Sequence, residues 1–301
     1  MTPTPGDWRD FTQNAAIRAV LGVAKAIPYR WRVPFVGWVV SRLIAPLAGW
    51  DKRVMRHLEY ACPDMPAEEM RRMARAVPDN AGRTLIEIYS GDDFVSRVRN
   101  APLTGPGAEA FLAARAANRP VILVTAHFGN YDATRAALFA QGHPLAAIYR
   151  PMRNARFNDH YVRAISKIGE PVFPADKRGI LGLLKHLSGG NIIGILVDVH
   201  AVRGARLTFF GKRAPTALSA AEWALKYDAL MVPVYGIRRE NGLDFDIVLD
   251  APIAPSTPEE MTQALNNSLE AHVREHMDQW FWIHRRWGDL SKVKARAPRP
   301  E

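Results

Sequence analysis

The stretch VILVTAHFGNYDATRAAL, residues 121–138, decides how this chain is read. Its first half is a continuous apolar, β-branched run, the pattern of a strand buried on both faces. The run ends in His127. Gly129 and Asn130 follow, and both tolerate the unusual backbone angles of a sharp turn. Asp132 then falls at the start of a helical pattern, ATRAALFAQG, closed by Gly142.

Working outward, the same alternation recurs. LAAIYRP and NIIGILVDV read as strands, EPVFP as a short extended piece, and LMVPVYGIRR and DFDIVLDAPI as further strands. Between them lie helical patterns, ARFNDHYVRAISKIG, GILGLLKHLSGG and TALSAAEWALKYDA. The segment from Thr257 through TPEEMTQALNNSLEAHVREHMDQWFWIHRRW reads as one long closing helix, with Glu259 and Glu260 at its positive end. Strands alternating with helices predict an α/β fold with a mainly parallel, mixed sheet flanked by helices.

Residues 1–50 differ in character. NAAIRAVLGVAKAIPYRWRVPFVGWVVSRLIAPLAGW is apolar, but Arg18, Lys25, Arg30, Arg32 and Arg42 interrupt it. Its longest unbroken run, Val33 to Val40, falls far short of the ~20 residues a bilayer crossing needs. A basic, tryptophan-bearing helical segment lying in a membrane interface is expected, its arginines on lipid phosphates and Trp31, Trp38 and Trp50 at headgroup depth. Packing of these helices on the main domain is the alternative. The expected division is 1–50 as this segment, 51–291 as the main domain and 292–301 as a basic tail.

Composition limits the partners. A net charge of +10 favours polyanions: an anionic membrane surface, an acidic carrier protein or nucleic acid. The basic residues are spread along the chain and form no recognised nucleic-acid module, so nucleic acid is set aside. The single cysteine, Cys62, rules out an internal disulfide and a cysteine-type zinc site. It reads as a small buried apolar residue. No GxSxG elbow, GxGxxG or Walker pattern is present. No HExxH spacing supports a metal, so neither metal nor cofactor is expected, and His200 and His284 stand as isolated histidines.

Open α/β sheets bind ligands at the carboxyl ends of their strands, where His127 stands. A tight turn can bring His127 and Asp132 face to face. A carboxylate on one imidazole nitrogen would fix the tautomer, and the other nitrogen could take a proton from an attacking hydroxyl. On spacing alone, Asp132 as a simple N-cap and His127 as a core histidine remain open.

At this point four blocks carry a resemblance. HFGNYD resembles the HxxxxD/E signature of the lysophospholipid acyltransferase superfamily. IYRPMRNARFND is similar to the YRP block of the bacterial lipid A late acyltransferases (the lauroyl/myristoyl acyltransferase family). LTFFGKRAPTALSAAEWALKYDALMVPVYGIRR and MDQWFWIHRRW resemble two further blocks of that family, in order, so the likeness runs from about Arg30 to Trp287. It implies a glycerolipid-acyltransferase-like fold. It also implies transfer of a fatty acyl group from acyl carrier protein, or acyl-CoA, to a hydroxyl of a lipid A precursor at the cytoplasmic face of the bacterial inner membrane. In that reading His127 is the general base and Asp132 its orienting partner. Gly129, Asn130, Arg150 and Asp198 contact substrate. His284 is read as part of a basic helix end. Two departures stand out: Asp132 occupies a position where the family usually carries glutamate, and Asp198 is followed by Val199 where an Asp-Gln pair is common. Another glycolipid or aminolipid acceptor, or a non-enzymatic basic lipid-binding protein, are the alternatives.

Overall fold

The computed structural model describes residues 5–290, so the expected tail at 292–301 lies outside the described residues. The chain opens with α1 (Pro5–Ala26) and α2 (Tyr29–Val39), which runs through one π-helical turn into α3 (Ala45–Ala48). Then come α4 (Trp50–Ala61), α5 (Ala67–Ser90) and α6 (Asp92–Val98). The alternating part follows: β1 (Leu103–Thr104), α7 (Ala108–Ala116), β2 (Val121–Thr125), α8 (Tyr131–Ala140), β3 (Leu145–Tyr149), α9 (Ala155–Ile168), β4 (Val172–Pro174), α10 (Lys177–Ser188) and β5 (Ile192–Leu196). A hairpin of β6 (Ala205–Phe209) and β7 (Lys212–Thr216) precedes α11 (Ser219–Lys226), β8 (Leu230–Arg238), β9 (Phe245–Leu249) and α12 (Pro258–Glu275).

Seven strands form one sheet in the order β1-β9-β8-β2-β5-β3-β4. Every neighbouring pair is parallel except β8 with β9. The expected α/β architecture with a mainly parallel mixed sheet is therefore what forms. β2 sits at its centre because all five of its residues are buried and their side chains alternate between two cores. Val121 and Leu123 pack with Ala133, Ala136 and Ala137 of α8 and Ile165 of α9. Ile122 and Val124 pack with Leu183 and Leu187 of α10, Ala220 and Ala224 of α11, and Met261 and Leu265 of α12. A third core joins α4 and α5 to the hairpin and to Trp280, Trp282 and Trp287. Trp280 and Trp282 are fully buried. At ~25 cal/mol per Å² over ~150–250 Å² each, their burial contributes about 4–6 kcal/mol apiece.

The expected closing helix needs correction. The long closing helix stops at Glu275, where His276 leaves helical geometry. Beyond it the backbone turns to pair with the loop after β2: Gly129 N–H donates to Gln279 C=O (2.9 Å) and Phe281 N–H to His127 C=O (2.9 Å). Helical periodicity yields there because Trp280 and Trp282 must enter the core while the chain between them makes these bonds. The hairpin β6–β7, absent from the sequence reading, carries Phe209 and Phe210 into the same core.

The N-terminal helices divide their faces. Val33, Val40 and Ala45 are buried, and α2 lies along α5. Arg32, expected on lipid phosphate, is itself buried and paired with Asp93 at 2.6 Å. On the outer side Trp31, Phe35, Trp38, Leu43, Ile44 and Leu47 are exposed. Among the described residues no single helix is long and apolar enough to cross a membrane. The Tyr29–Ala48 and Trp50–Ala61 helices pass that test only together, and they meet at 83°. Gly49, with φ +65°, makes the bend.

His57 of α4 ties this region to the C-terminal segment: its buried Nδ1–H donates to Trp282 C=O at 2.7 Å. Burial pushes its pKa below the ordinary value, against the raising effect of that bond. Below about pH 6.5 the unfolded chain therefore binds the proton more readily than the folded one, and stability falls as pH falls. Denaturant unfolding at a series of pH values should show this acid loss, and His57→Gln should flatten the part of it below pH ~6.5.

Candidate functional site

The register of β2 on β5 builds the centre of the site. Thr125 is the partner of Leu196 at the end of the ladder, so His127 and Asp198 each stand two residues beyond paired positions. Val197 N–H donates to Thr125 C=O at 3.2 Å and holds the two chains together as they leave the sheet. Asp198 is fully buried. Its Oδ1 accepts from His127 Nδ1–H at 2.9 Å; its Oδ2 accepts from the His127 backbone N–H and from Trp280 Nε1–H, both at 3.0 Å. Burial alone would raise the Asp198 pKa. Attraction to the His127 imidazole and the hydrogen bonds outweigh it and hold the carboxyl well below the usual range. With Nδ1 carrying the proton, Nε2 of His127 keeps a lone pair.

The expected face-to-face pair of His127 and Asp132 does not form. Asp132 lies in the first turn of α8 and accepts from Arg135 Nε at 2.9 Å, while Arg135 NH1 donates to Gly169 C=O at 3.0 Å. Both members of this pair are buried. The turn after β2 points the imidazole toward β5, and the helix that follows turns its first carboxylate back onto its own next turn.

Of the other residues expected at the substrate, two make close contacts within the protein. Asn130 is fully buried and caps α8: its Oδ1 accepts from Asp132 N–H at 3.0 Å and its Nδ2 donates to Glu87 at 2.8 Å. Gly129 has φ +53°, and a Cβ there would stand 2.0 Å from Gly236 C=O of β8. Close approach of protein backbone requires this glycine. Arg150 follows β3, two strands from β2, with its side chain exposed and no ion-pair partner among the described residues.

A buried polar network beneath the turn was not foreseen. Arg238 at the end of β8 donates to Glu87 of α5 through both terminal nitrogens (2.6 and 2.7 Å) and through Nε to Asn80 at 2.8 Å. Gln279 bonds the Arg238 backbone in both directions at 2.8 Å. Asn80 Nδ2 and Thr84 Oγ1 then donate to Gly129 C=O at 3.2 and 3.0 Å. Separately spaced residues on α5, β8 and the C-terminal segment thus fix the backbone that carries His127. Truncating one side of such a buried ion pair costs ~3–5 kcal/mol.

Beside this turn lies a cavity of about 170 Å³, lined by Val77, Ala81, Leu85 and Ile88 of α5 and by Tyr131 and Phe281, with His127 in its wall. Tyr131 touches His127 edge-on, with ring centroids 5.4 Å apart. Burial and then the Asp132 charge push its phenol pKa far up, so it stays protonated. His284, read from sequence as a helix-end cation, stands against His127 with centroids 4.3 Å apart. Burial, then the charge of His127, pushes its pKa down to about 4, so it is neutral near pH 7. An imidazole held by a buried carboxylate, beside an apolar chamber at a sheet end, has the chemistry to accept a proton from a hydroxyl.

Residues 5–289 match the family described as bacterial lipid A biosynthesis acyltransferase. Over 180 residues the chain is 26% identical to a lipid A biosynthesis acyltransferase of Haemophilus influenzae; the aligned stretch covers 59% of this chain and 56% of that protein. With the family match running from the first helix to the last tryptophan, the chain belongs to the bacterial lipid A biosynthesis acyltransferase family.

Proposed function

We propose that this protein transfers a fatty acyl group from an acyl-carrier-protein thioester, or acyl-CoA, to a hydroxyl of a lipid A precursor, with His127 as general base and Asp198 as the acid that orients it. The observation that carries the reading is the 2.9 Å bond from His127 Nδ1 to buried Asp198 at the edge of an apolar chamber.

His127 Nε2 takes the proton from the acceptor hydroxyl as its oxygen attacks the thioester carbonyl carbon. Asp198 stabilises the imidazolium that results. The carbon–sulfur bond then breaks, and His127 returns the proton to the leaving sulfur. The products are an ester and a free thiol, with no acyl group on the enzyme. The chamber under α5 receives part of the acyl chain, and Tyr131 and Phe281 keep water from its mouth. Asp132 acts indirectly, through Arg135 and the first turn of α8.

A second cleft, lined by acids as well as arginines, supports an anionic partner through arginines that are unpaired among the described residues. This cleft of about 1700 Å³ between α2, α5 and the β8–β9 turn shares Asn80 and Gln279 with the chamber. Arg30, Arg42, Arg71 and Arg75 line it without ion-pair partners among the described residues. This supports phosphates of the acceptor, or an acidic carrier, as ligands. The exposed Trp31, Phe35, Trp38, Leu43, Ile44 and Leu47 support peripheral or monotopic binding at the cytoplasmic face of the inner membrane. A different glycolipid or an aminolipid as acceptor would use the same dyad.

Acyl transfer by purified protein should fall ~10²–10⁴-fold in His127→Ala, and a parent-like rate would overturn the assignment. Asp198→Asn and Asp132→Asn should separate. Both break a buried charged contact and should lower the unfolding midpoint, but at a temperature where each variant is fully folded the first should lower kcat by at least ~10²-fold and the second by much less. A larger rate loss in Asp132→Asn than in Asp198→Asn restores Asp132 as the orienting acid. In vesicle sedimentation, anionic lipid should bind the protein and salt should release only part of it; full release at high salt would remove the apolar contribution.

A further inference from the structure

His284 has no part in the reaction above, yet it faces the base. Its ring meets that of His127 at 78°, and its Nε2 is buried with no hydrogen-bond partner. Donor atoms of His127, Asp198 and His284 all lie within 4.8 Å of one another. We propose that these three side chains form a binding site for a zinc-class dication, and that the bound ion switches the site off.

Two imidazoles and one carboxylate suit borderline dications, above all zinc. Zinc bonds of ~2.0–2.2 Å in a tetrahedral set hold donors roughly 3.3 Å apart, so closure asks the ring ends to move on the order of 1 Å. An imidazole nitrogen that makes no hydrogen bond gives up nothing by that movement. Asp198 is already oriented by Trp280 Nε1–H, the kind of outer contact that steadies a metal ligand. The His127 side chain is 29% exposed, which leaves an entry path and a fourth position for water. Coordination through either ring nitrogen ends service as a base: at Nε2 the ion occupies the lone pair, and at Nδ1 it replaces the proton shared with Asp198. The loss of activity rests on the reading of His127 as the base; the binding of the ion does not.

The test is calorimetric titration of the full chain with zinc chloride. One ion per chain with a Kd in the micromolar range or tighter is expected. His284→Asn should weaken it at least ~10-fold. His143→Asn, before β3 at the opposite end of the sheet, should leave it unchanged. No binding below millimolar zinc, or equal affinity in parent and His284→Asn, overturns the site. Copper binding followed by electron paramagnetic resonance gives a second readout: imidazole nitrogen coupling that is reduced in His284→Asn and kept in His143→Asn supports the site, and coupling unchanged in His284→Asn overturns it. Acyl transfer measured alongside should fall in step with zinc occupancy and return on chelation. Full transfer activity in protein loaded at this site would uphold the site and sink His127 as the base.

Discussion

The alignment of β2 with β5 governs the rest. Parallel strands advance together, so a pair matched at Thr125 and Leu196 leaves the sheet side by side, and the second residue beyond each becomes His127 and Asp198. The carboxylate then accepts three N–H bonds in a fully buried position. A slip of one residue would send these side chains to opposite faces. Central burial of both strands therefore does more than stabilise the domain: the apolar contacts that forbid slippage also set the distance between Asp198 and His127.

Around that pair the molecule keeps its expensive interactions where they restrain backbone. Glu87 and Arg238 are buried together, and their bonds lead through Asn130, Asn80 and Gln279 to the turn carrying the imidazole. Asp132 and Arg135 perform a similar task one turn into α8. Ion pairs of this sort add little net stability over apolar residues of the same shape, but they define one geometry. The apolar chamber needs no such definition, and its walls come from α5, the element that also bears Asn80, Thr84 and Glu87.

The sheet and its flanking helices were legible because continuous β-branched runs and helical periodicity both point to the same layers. His127 was legible because it ends such a run. Its partner was not: HFGNYD puts an acid close in sequence, whereas Asp198 is close only after two strands have paired. Matching the ends of VILVT and IIGIL would have proposed it. The C-terminal segment misled for a related reason. The residues from Thr257 onward carry a good helical pattern, but Trp280 and Trp282 alternate, a two-residue repeat that marks extended chain. His284 looked isolated because the fold, not the sequence, brings it to His127. The aromatic, basic character of residues 29–48 was plain, yet which arginines face outward depended on packing against α5, and Arg32 turned inward.

The strap formed by Gln279, Trp280 and Phe281 has a consequence for biogenesis. It closes over residues 127–129 from about half the chain away, and Trp280 supplies one of the bonds that orient Asp198. During synthesis the amphipathic helices leave the ribosome first and the strap almost last. A nascent chain thus exposes the aromatic face of α2 and α3 long before the loop after β2 is complete, and a message truncated ahead of Gln279 yields a chain without the Trp280 bond to Asp198 and without the two backbone bonds that close over residues 127–129.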